Sequence, residues 1–151
     1  FRSNTWDTSL ITDMSSLFKD KSNFNSPIGN WNTGNVTNMN NMFFGANSFN
    51  KPLDKWDTSK VTDMGSMFED ALTFNQTLDS WNVSNVTSMS LMFQSACSFN
   101  QSLNSWNVSK VKNVKWMFSS ANAFNQPLLN WNVSNVTNMS GMFRGCFNIF
   151  F

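Results

Sequence analysis

The sequence predicts an α/β solenoid of six 25-residue repeats, with a parallel β-sheet on one face and short helices on the other. Three observations predict it: tryptophan recurs at a fixed spacing, the hydrophobic period changes within each repeat, and one unit is too short to enclose a core. The tryptophans that begin the repeats are Trp6, Trp31, Trp56, Trp81, Trp106 and Trp131. These copies, in phase and without insertions, predict a single domain over 1–151, which we expect to be a fragment of a longer array.

The first element of each repeat is a predicted strand. Counted from the tryptophan, positions 1 and 3 of the fourth repeat are apolar Trp81 and Val83, with polar Asn82 between them. Alternation by two is typical of a short strand with one buried face, so the tryptophans should point inward and position 2 should be exposed. The predicted exposed row consists of Asp7, Asn32, Asp57, Asn82, Asn107 and Asn132.

The second element is a predicted helix that begins near position 7. Met39, Met42, Phe43 and Ala46 follow the spacing i, i+3, i+4, i+7, which is one face of about two helical turns. Thr at position 7, or Asp or Asn at position 8 as in Asp63, is expected to cap the helix. The Met and Phe columns could also form an adaptable binding surface. Their helical spacing in every copy favours the core instead.

An asparagine follows phenylalanine at position 20 of five repeats. Stacked asparagine side chains can satisfy buried backbone groups where the chain turns, so we predict a structural ladder at this position. The ladder residues are Asn25, Asn50, Asn75, Asn100 and Asn125. A helix-plus-strand unit of this length with a regular asparagine is typical of the leucine-rich-repeat class.

The repeated phrase also resembles a known family. It reads FNQ-x-L-x-x-W-N/D-V/T-S-x-V-T-N/D-M-x-x-M-F and resembles the repeats of BspA-like leucine-rich-repeat surface proteins of bacteria and mycoplasmas, also found in protists and large DNA viruses. The resemblance runs from Trp6 to Phe143 and implies extracellular display with adhesion or partner binding. It supplies no catalytic residues. The sequence departs from the pattern at Lys112, at Val114 and in the tail after Arg144.

Composition points away from catalysis and metal binding. The chain has no histidine, a net charge of +1 and two cysteines, Cys97 and Cys146, which we expect to be half-buried free thiols. The paired carboxylates at positions 2 and 8, such as Asp57 with Asp63, form no compact acidic loop for calcium and no cleft for glycoside hydrolysis. We therefore predict no enzyme, no metal and no cofactor. Helix capping is the preferred role of Asp13 and Asp63.

Nine Asn-x-Ser/Thr sequons arise mainly because the phrase NVSNVT is copied, and glycosylation remains open. They begin at Asn35, Asn75, Asn82, Asn85, Asn100, Asn107, Asn132, Asn135 and Asn138.

Two features break the repetition. Residues 1–80 hold all nine carboxylates and six basic residues, a balance of −3, whereas residues 81–151 hold four basic residues and no carboxylate, a balance of +4. This split favours head-to-tail association or reflects drift among surface residues.

In repeat five, Lys110, Lys112, Lys115 and Trp116 lie close in sequence, and Leu91 occupies the position of Trp116 one repeat earlier. An exposed apolar spot with a basic rim is typical of an intermolecular contact, and a missing outer layer is the alternative.

These observations predict a non-enzymatic, surface-exposed binding or adhesion module at a cell or virion surface. A row of short neutral side chains suits a protein or glycan partner, so Asn82, Asn107 and Asn132 are the candidate contacts beside the basic cluster of repeat five. The alternative is a structural protein that self-associates through its repeat ends into a filament, cell-surface layer or virion shell. Four clustered cations are too few to favour nucleic acid, and no apolar run is long enough to insert into a membrane.

Overall fold

A computed structural model describes residues 5–149, and this part of the chain contains no α-helix and no strand longer than one residue. A single residue, Thr5, is in a 3-10 turn. Each repeat contributes one residue to a parallel row of isolated β-bridges. The bridges pair Asp13 with Asn38, Asn38 with Asp63, Asp63 with Ser88, Ser88 with Asn113, and Asn113 with Asn138. The predicted α/β leucine-rich-repeat-like solenoid, with a parallel sheet and a layer of helices, is therefore wrong.

Hydrogen bonds between consecutive repeats replace the expected sheet. From position 9 to position 15, every second N–H donates to a carbonyl of the next repeat, and the N–H groups between them mostly close turns onto the third residue back. Met39 N–H donates to Asp63 at 3.0 Å, whereas Met42 N–H returns to Met39 at 3.2 Å. The same alternation recurs in each repeat that has a following neighbour. The repeats are thus stacked turns whose backbone groups pair mainly across the stack.

The turns depart from a helix because two residues of each repeat have left-handed backbone angles. Positions 11 and 15 have φ between 54° and 74° in all six repeats. Left-handed residues cannot continue a right-handed helix. The residues at position 11 are Ser16, Asn41, Ser66, Leu91, Trp116 and Gly141, and those at position 15 are Asp20, Gly45, Asp70, Ser95, Ser120 and Gly145.

The predicted helix caps also have other partners. Both the N–H and the hydroxyl of Thr37 donate to the Thr12 carbonyl of the preceding repeat, at 2.8 and 3.2 Å. Asp13 Oδ1 accepts from Ser15 N–H at 2.8 Å, and Asp63 Oδ1 accepts from Gly65 N–H at 2.8 Å. These are Asx turns, which fold the backbone locally without a helix. The prediction that Asp13 and Asp63 cap helices was therefore wrong, because no helix follows them. Both side chains nevertheless accept a hydrogen bond from the backbone N–H two residues on.

The start of the second to fifth repeats has the predicted alternation of burial without forming a strand. Trp81 and Val83 are buried and Asn82 between them is exposed. Asn82 Oδ1 accepts from Ser84 N–H at 3.0 Å, and Val86 N–H donates to the Val83 carbonyl at 3.0 Å. These local bonds bend the segment into turns, so the backbone has no extended run to pair as a strand.

The core consists of columns in which the same residue type stacks from repeat to repeat, as predicted for Trp, Phe and Met. Phe43 and Phe68 have ring centroids 5.4 Å apart, and Trp81 and Trp106 have centroids 6.5 Å apart. The indole N–H of Trp106 donates to the Leu78 carbonyl at 2.9 Å, so the buried indole is satisfied. The prediction that these columns form the core is confirmed from the second to the fifth repeat. At the two ends of the stack, Trp6 is 56% exposed and Met139 is 50% exposed.

Candidate binding surfaces

The position-2 side chains are exposed along the whole stack, and their oxygens accept hydrogen bonds that close local turns. Asn82, Asn107 and Asn132 are all exposed, and the Oδ1 of each accepts the N–H two residues on, at 3.0 to 3.1 Å. Their Nδ2 groups make no hydrogen bond within residues 5–149. Because consecutive repeats stack in parallel, these donors recur about every 5 Å. The structure thus brings the three predicted contacts into one row of amide donors with fixed orientation.

Carboxylates replace asparagine in this row at two repeats. Hydrogen bonds from the Ser9 hydroxyl and N–H hold the pKa of Asp7 below its ordinary value. The corresponding bonds from Ser59 lower the pKa of Asp57. Both carboxylates therefore stay ionised at neutral pH, and the row has a negative first half and a neutral second half.

The predicted basic and aromatic cluster of repeat five is arranged differently from the expectation. Trp116 is half-buried with φ 57°, and the Arg144 guanidinium lies 5.3 Å from its ring centroid. A Cβ placed on Gly141 would be 3.0 Å from the Trp116 indole nitrogen, so the ring lies against the next repeat. Leu91 is also half-buried, with φ 61°. The small residues of this column do not mark solvent exposure throughout, since Ser66 is only 9% exposed there.

The three lysines of that cluster are exposed, and one of them belongs to another row. Lys110 Nζ donates to Asn85 Oδ1 at 2.9 Å, and Asn85 Nδ2 donates to the Ser59 carbonyl at 2.7 Å. Lys60 makes the same contact with Asn35 at 2.8 Å. Asparagine and lysine alternate along position 5 to make this row, which sequence reasoning missed. The sequence signal for this row is the alternation of amide and ammonium side chains at position 5 of successive repeats: Asn35, Lys60, Asn85, Lys110 and Asn135.

Lys112 and Lys115 make their hydrogen bonds through their backbone N–H groups. Lys112 N–H donates to the Thr87 carbonyl at 2.8 Å, and Lys115 N–H donates to Asn113 Oδ1 at 2.9 Å. Lys112 also lacks the hydroxyl that Thr37, Thr62 and Thr87 use toward the preceding repeat. Both side chains are exposed, so they offer charge to a partner without a fixed contact.

The position-20 asparagines form a continuous ladder on the surface. Each side-chain oxygen accepts the N–H of the next asparagine, at 2.9 to 3.0 Å, from Asn25 to Asn125. Glutamine at position 21 adds a second donor, as where Gln101 Nε2 contacts Asn75 Oδ1 at 3.0 Å. The ladder side chains are exposed, and the expectation of buried partners was wrong. The ladder joins neighbouring repeats outside the apolar columns.

We expect Asn75→Ala to lower the free energy of unfolding by about 1 kcal/mol, because Asn100 N–H loses its acceptor and Gln101 Nε2 keeps only the Asn75 backbone carbonyl. Urea unfolding followed by circular dichroism measures the change. Asn122→Ala is the matched control, since the Asn122 side chain is exposed and makes no hydrogen bond within the described chain. Equal stability of the two variants would show that the ladder does not stabilise the stack.

The carboxylates and thiols form no metal-binding cluster in the part of the chain that the structure covers. No three Cys, Asp or Glu side chains between residues 5 and 149 are placed to hold a metal ion. Cys97 and Cys146 are both free thiols; Cys146 is half-buried as expected, whereas Cys97 is exposed. Burial raises the pKa of the Cys146 thiol. Among the same residues, no helix has the length and apolar character needed to cross a membrane.

The larger apolar cavities lie at the two ends of the stack. One of about 620 Å³ is lined by Trp6, Leu17, Phe18 and Phe24 among others. The other, of about 420 Å³, includes Trp131, Val133, Met139 and Phe143 in its lining. Both sets of residues belong to columns that are buried in the middle of the stack. Each cavity is therefore lined by side chains whose counterparts in the middle repeats are covered by a neighbouring repeat.

Comparison with known proteins identifies one family. Its model, described as Mycoplasma protein of unknown function, DUF285, matches residues 2–96 and again residues 53–149. The two overlapping matches together span nearly the whole chain. No curated protein and no solved structure matches it.

Proposed function

The chain belongs to the DUF285 family of repeat proteins, and we propose that it is a non-enzymatic, surface-exposed binding module. The observation that carries the proposal is the row of exposed amide donors on Asn82, Asn107 and Asn132, each oriented by its own turn. A ligand with acceptors at a regular spacing can meet several of these donors together. Fixed donors lose little side-chain entropy on binding, which favours affinity.

The partner that this row fits is neutral and extended. Amide donors complement hydroxyl and carbonyl oxygens, which occur in oligosaccharides and in protein backbone. Lys112 and Lys115, exposed in the same repeat as Asn107, add donors that favour an acceptor-rich partner. The resemblance to BspA-like surface proteins supports display outside a cell or on a virion, where such partners occur.

Direct binding tests this function. The purified chain is applied to arrays of immobilised oligosaccharides and extended peptides, and the Kd of each hit is measured. We expect the Asn82→Arg, Asn107→Arg double variant to weaken binding at least tenfold, because two donors are lost and bulky cations cover the row. The matched control is Asn47→Arg with Asn122→Arg, which adds the same charge at position 17. Unchanged affinity in the first pair, or equal loss in both pairs, would contradict the proposal.

A further inference from the structure

One side of the fourth and fifth repeats carries two bulky apolar side chains where the other repeats carry small ones. Position 11 is Leu91 in the fourth repeat and Trp116 in the fifth, whereas the other repeats have Ser, Asn or Gly there. Both residues are half-buried, and both have left-handed backbone angles, with φ 61° and 57°. Bulky residues are uncommon at this angle. Each lies between two described repeats, so its partial exposure is a property of the side of the stack.

Leu91 and Trp116 are held next to each other by the stacking of their repeats. The Leu91 N–H donates to the carbonyl of Lys115, the residue before Trp116, at 2.8 Å. The indole lies against the sixth repeat, where a Cβ on Gly141 would be 3.0 Å from the ring nitrogen. The Arg144 guanidinium lies over the ring, 5.3 Å from its centroid. The two apolar side chains therefore occupy neighbouring places on the same side of the stack.

The indole N–H of Trp116 is a hydrogen-bond donor without a partner in the described chain. In the buried column, the tryptophans from Trp56 to Trp131 each donate to a backbone carbonyl at 2.9 to 3.0 Å. Within residues 5–149, Gln94 Oε1 is the one enclosed side-chain polar atom that lacks a partner, so the Trp116 nitrogen is accessible to solvent. The donor can therefore meet an acceptor on another molecule. Tryptophan is enriched among the residues that dominate the binding energy of interfaces.

The charged side chains of this surface are positive. Lys115 precedes Trp116 and is exposed, and Arg144 contacts the ring from the sixth repeat. Residues 81–151 contain no carboxylate, so these repeats offer neither cation an acidic partner. At repeat positions 10 to 15, every carboxylate lies in the first or the third repeat. A free N–H donor beside uncompensated cations fits a carboxylate, because indole, ammonium and guanidinium groups all donate to carboxylate oxygens.

We infer that Leu91, Trp116 and Lys115 form a second binding surface, at other repeat positions than the position-2 row, and that it binds a short acidic protein segment. One carboxylate of the segment accepts from the Trp116 indole N–H, and others lie beside Lys115 and Arg144. An apolar side chain of the segment packs on Leu91 and on the exposed part of the indole. Charge complementarity selects an acidic segment. The apolar pair favours protein over nucleic acid, for which so few cations give too few phosphate contacts.

Fluorescence anisotropy with short synthetic peptides tests this inference on the 151-residue chain. The probe peptides carry several Asp or Glu residues around one Leu or Phe, and the control peptides carry Asn or Gln at the same places. We expect the acidic peptides to bind at least tenfold more tightly than the controls, with an affinity that falls as salt increases. Failure of every acidic peptide to bind, or equal affinity for both sets, would overturn the inference. So would tighter binding of a single-stranded oligonucleotide of equal charge.

Substitutions by residues that other repeats carry at the same positions locate the surface and should retain the turns. Trp116→Ser introduces the serine found at position 11 of the first and third repeats, and should weaken binding of the acidic peptides at least tenfold. Lys115→Ser introduces the serine found at position 10 of three other repeats, and should weaken binding about threefold to tenfold. Lys60→Asn is the matched control, because it removes one positive charge at position 5 of the third repeat and should leave the affinity unchanged.

Circular dichroism and thermal unfolding show whether each variant keeps the fold. Leu91→Asn, which introduces the residue found at position 11 of the second repeat, replaces Trp116→Ser if that variant does not fold. Full affinity in a folded Trp116→Ser protein would show that the indole is not part of a binding surface. An equal loss of affinity in Lys115→Ser and Lys60→Asn would show that the peptides respond to net charge alone, and either result would overturn the inference.

Discussion

Phe93→Ala is expected to lower the free energy of unfolding by about 3–5 kcal/mol. Phe93 is fully buried, and its ring is 4.1 Å from that of Phe99 and 5.6 Å from those of Phe68 and Phe118, centroid to centroid. Truncation removes ring contacts on three sides and leaves a cavity in the fourth of six repeats. The backbone pairing at Phe93, whose N–H donates to Met117 at 2.8 Å, opposes collapse around that cavity.

Chemical denaturation followed by tryptophan fluorescence measures this loss. Phe147→Ala is the matched control, because Phe147 is 87% exposed and its truncation should change stability by less than about 0.5 kcal/mol. Stacked repeats contact mainly their neighbours, so a weakened central repeat divides the stack and broadens the transition. A Phe93→Ala protein as stable as Phe147→Ala would show that the aromatic columns do not hold the repeats together.

The sequence predicted the repeat length and the buried columns because both depend only on which side chains are apolar. Trp81 and Phe93 are buried in turns as they would be in a strand and a helix. Periodicity identifies the face that is hidden. It does not identify how the backbone places that face inside.

The helix prediction was wrong, and the sequence contains the signal that could have corrected it. In the second to fifth repeats, positions 9, 12, 13 and 16 are apolar, which fits one helical face, and the same four positions are buried by two successive turns. The discriminating signal was the spacing of residues that tolerate positive φ, such as Asn41 and Gly45 in the second repeat. Two such residues four apart, as again at Gly141 and Gly145 in the sixth repeat, favour left-handed turns over a helix.

The candidate surface could be predicted only in part. The alternation of apolar and polar residues predicted that Asn82 and the other position-2 asparagines are exposed. The hydrogen bond that each Oδ1 accepts within its turn depends on backbone angles that residue spacing does not reveal. Trp116 is covered by Arg144 from the next repeat, a contact across 28 residues. The bond between Lys110 and Asn85 likewise depends on which positions stack face to face.

Gly45→Val is expected to lower the free energy of unfolding by about 3 kcal/mol, combining about 1–2 kcal/mol for a left-handed residue with a Cβ and about 1–3 kcal/mol for overpacking. Gly45 has φ 65°, a conformation that β-branched residues strongly disfavour. A Cβ there would lie 2.7 Å from Asp20 Oδ1 of the preceding repeat. The Gly45 N–H also donates to Glu69 at 2.8 Å, so the residue cannot shift without loosening two interfaces.

Gly34→Val is the matched control, because Gly34 lies outside the left-handed region and its nearest neighbours to an added Cβ are side-chain oxygens at 3.3 and 3.4 Å. Its stability should fall by no more than about 1 kcal/mol. Gly45→Asn separates the two causes, since asparagine tolerates the left-handed angle but still crowds Asp20. Thermal and urea unfolding of the three variants should give the order Gly34→Val, Gly45→Asn, Gly45→Val from most to least stable. Equal stability of Gly34→Val and Gly45→Val would mean that position 15 does not need a left-handed residue and that the stacked turns are not the architecture of this chain.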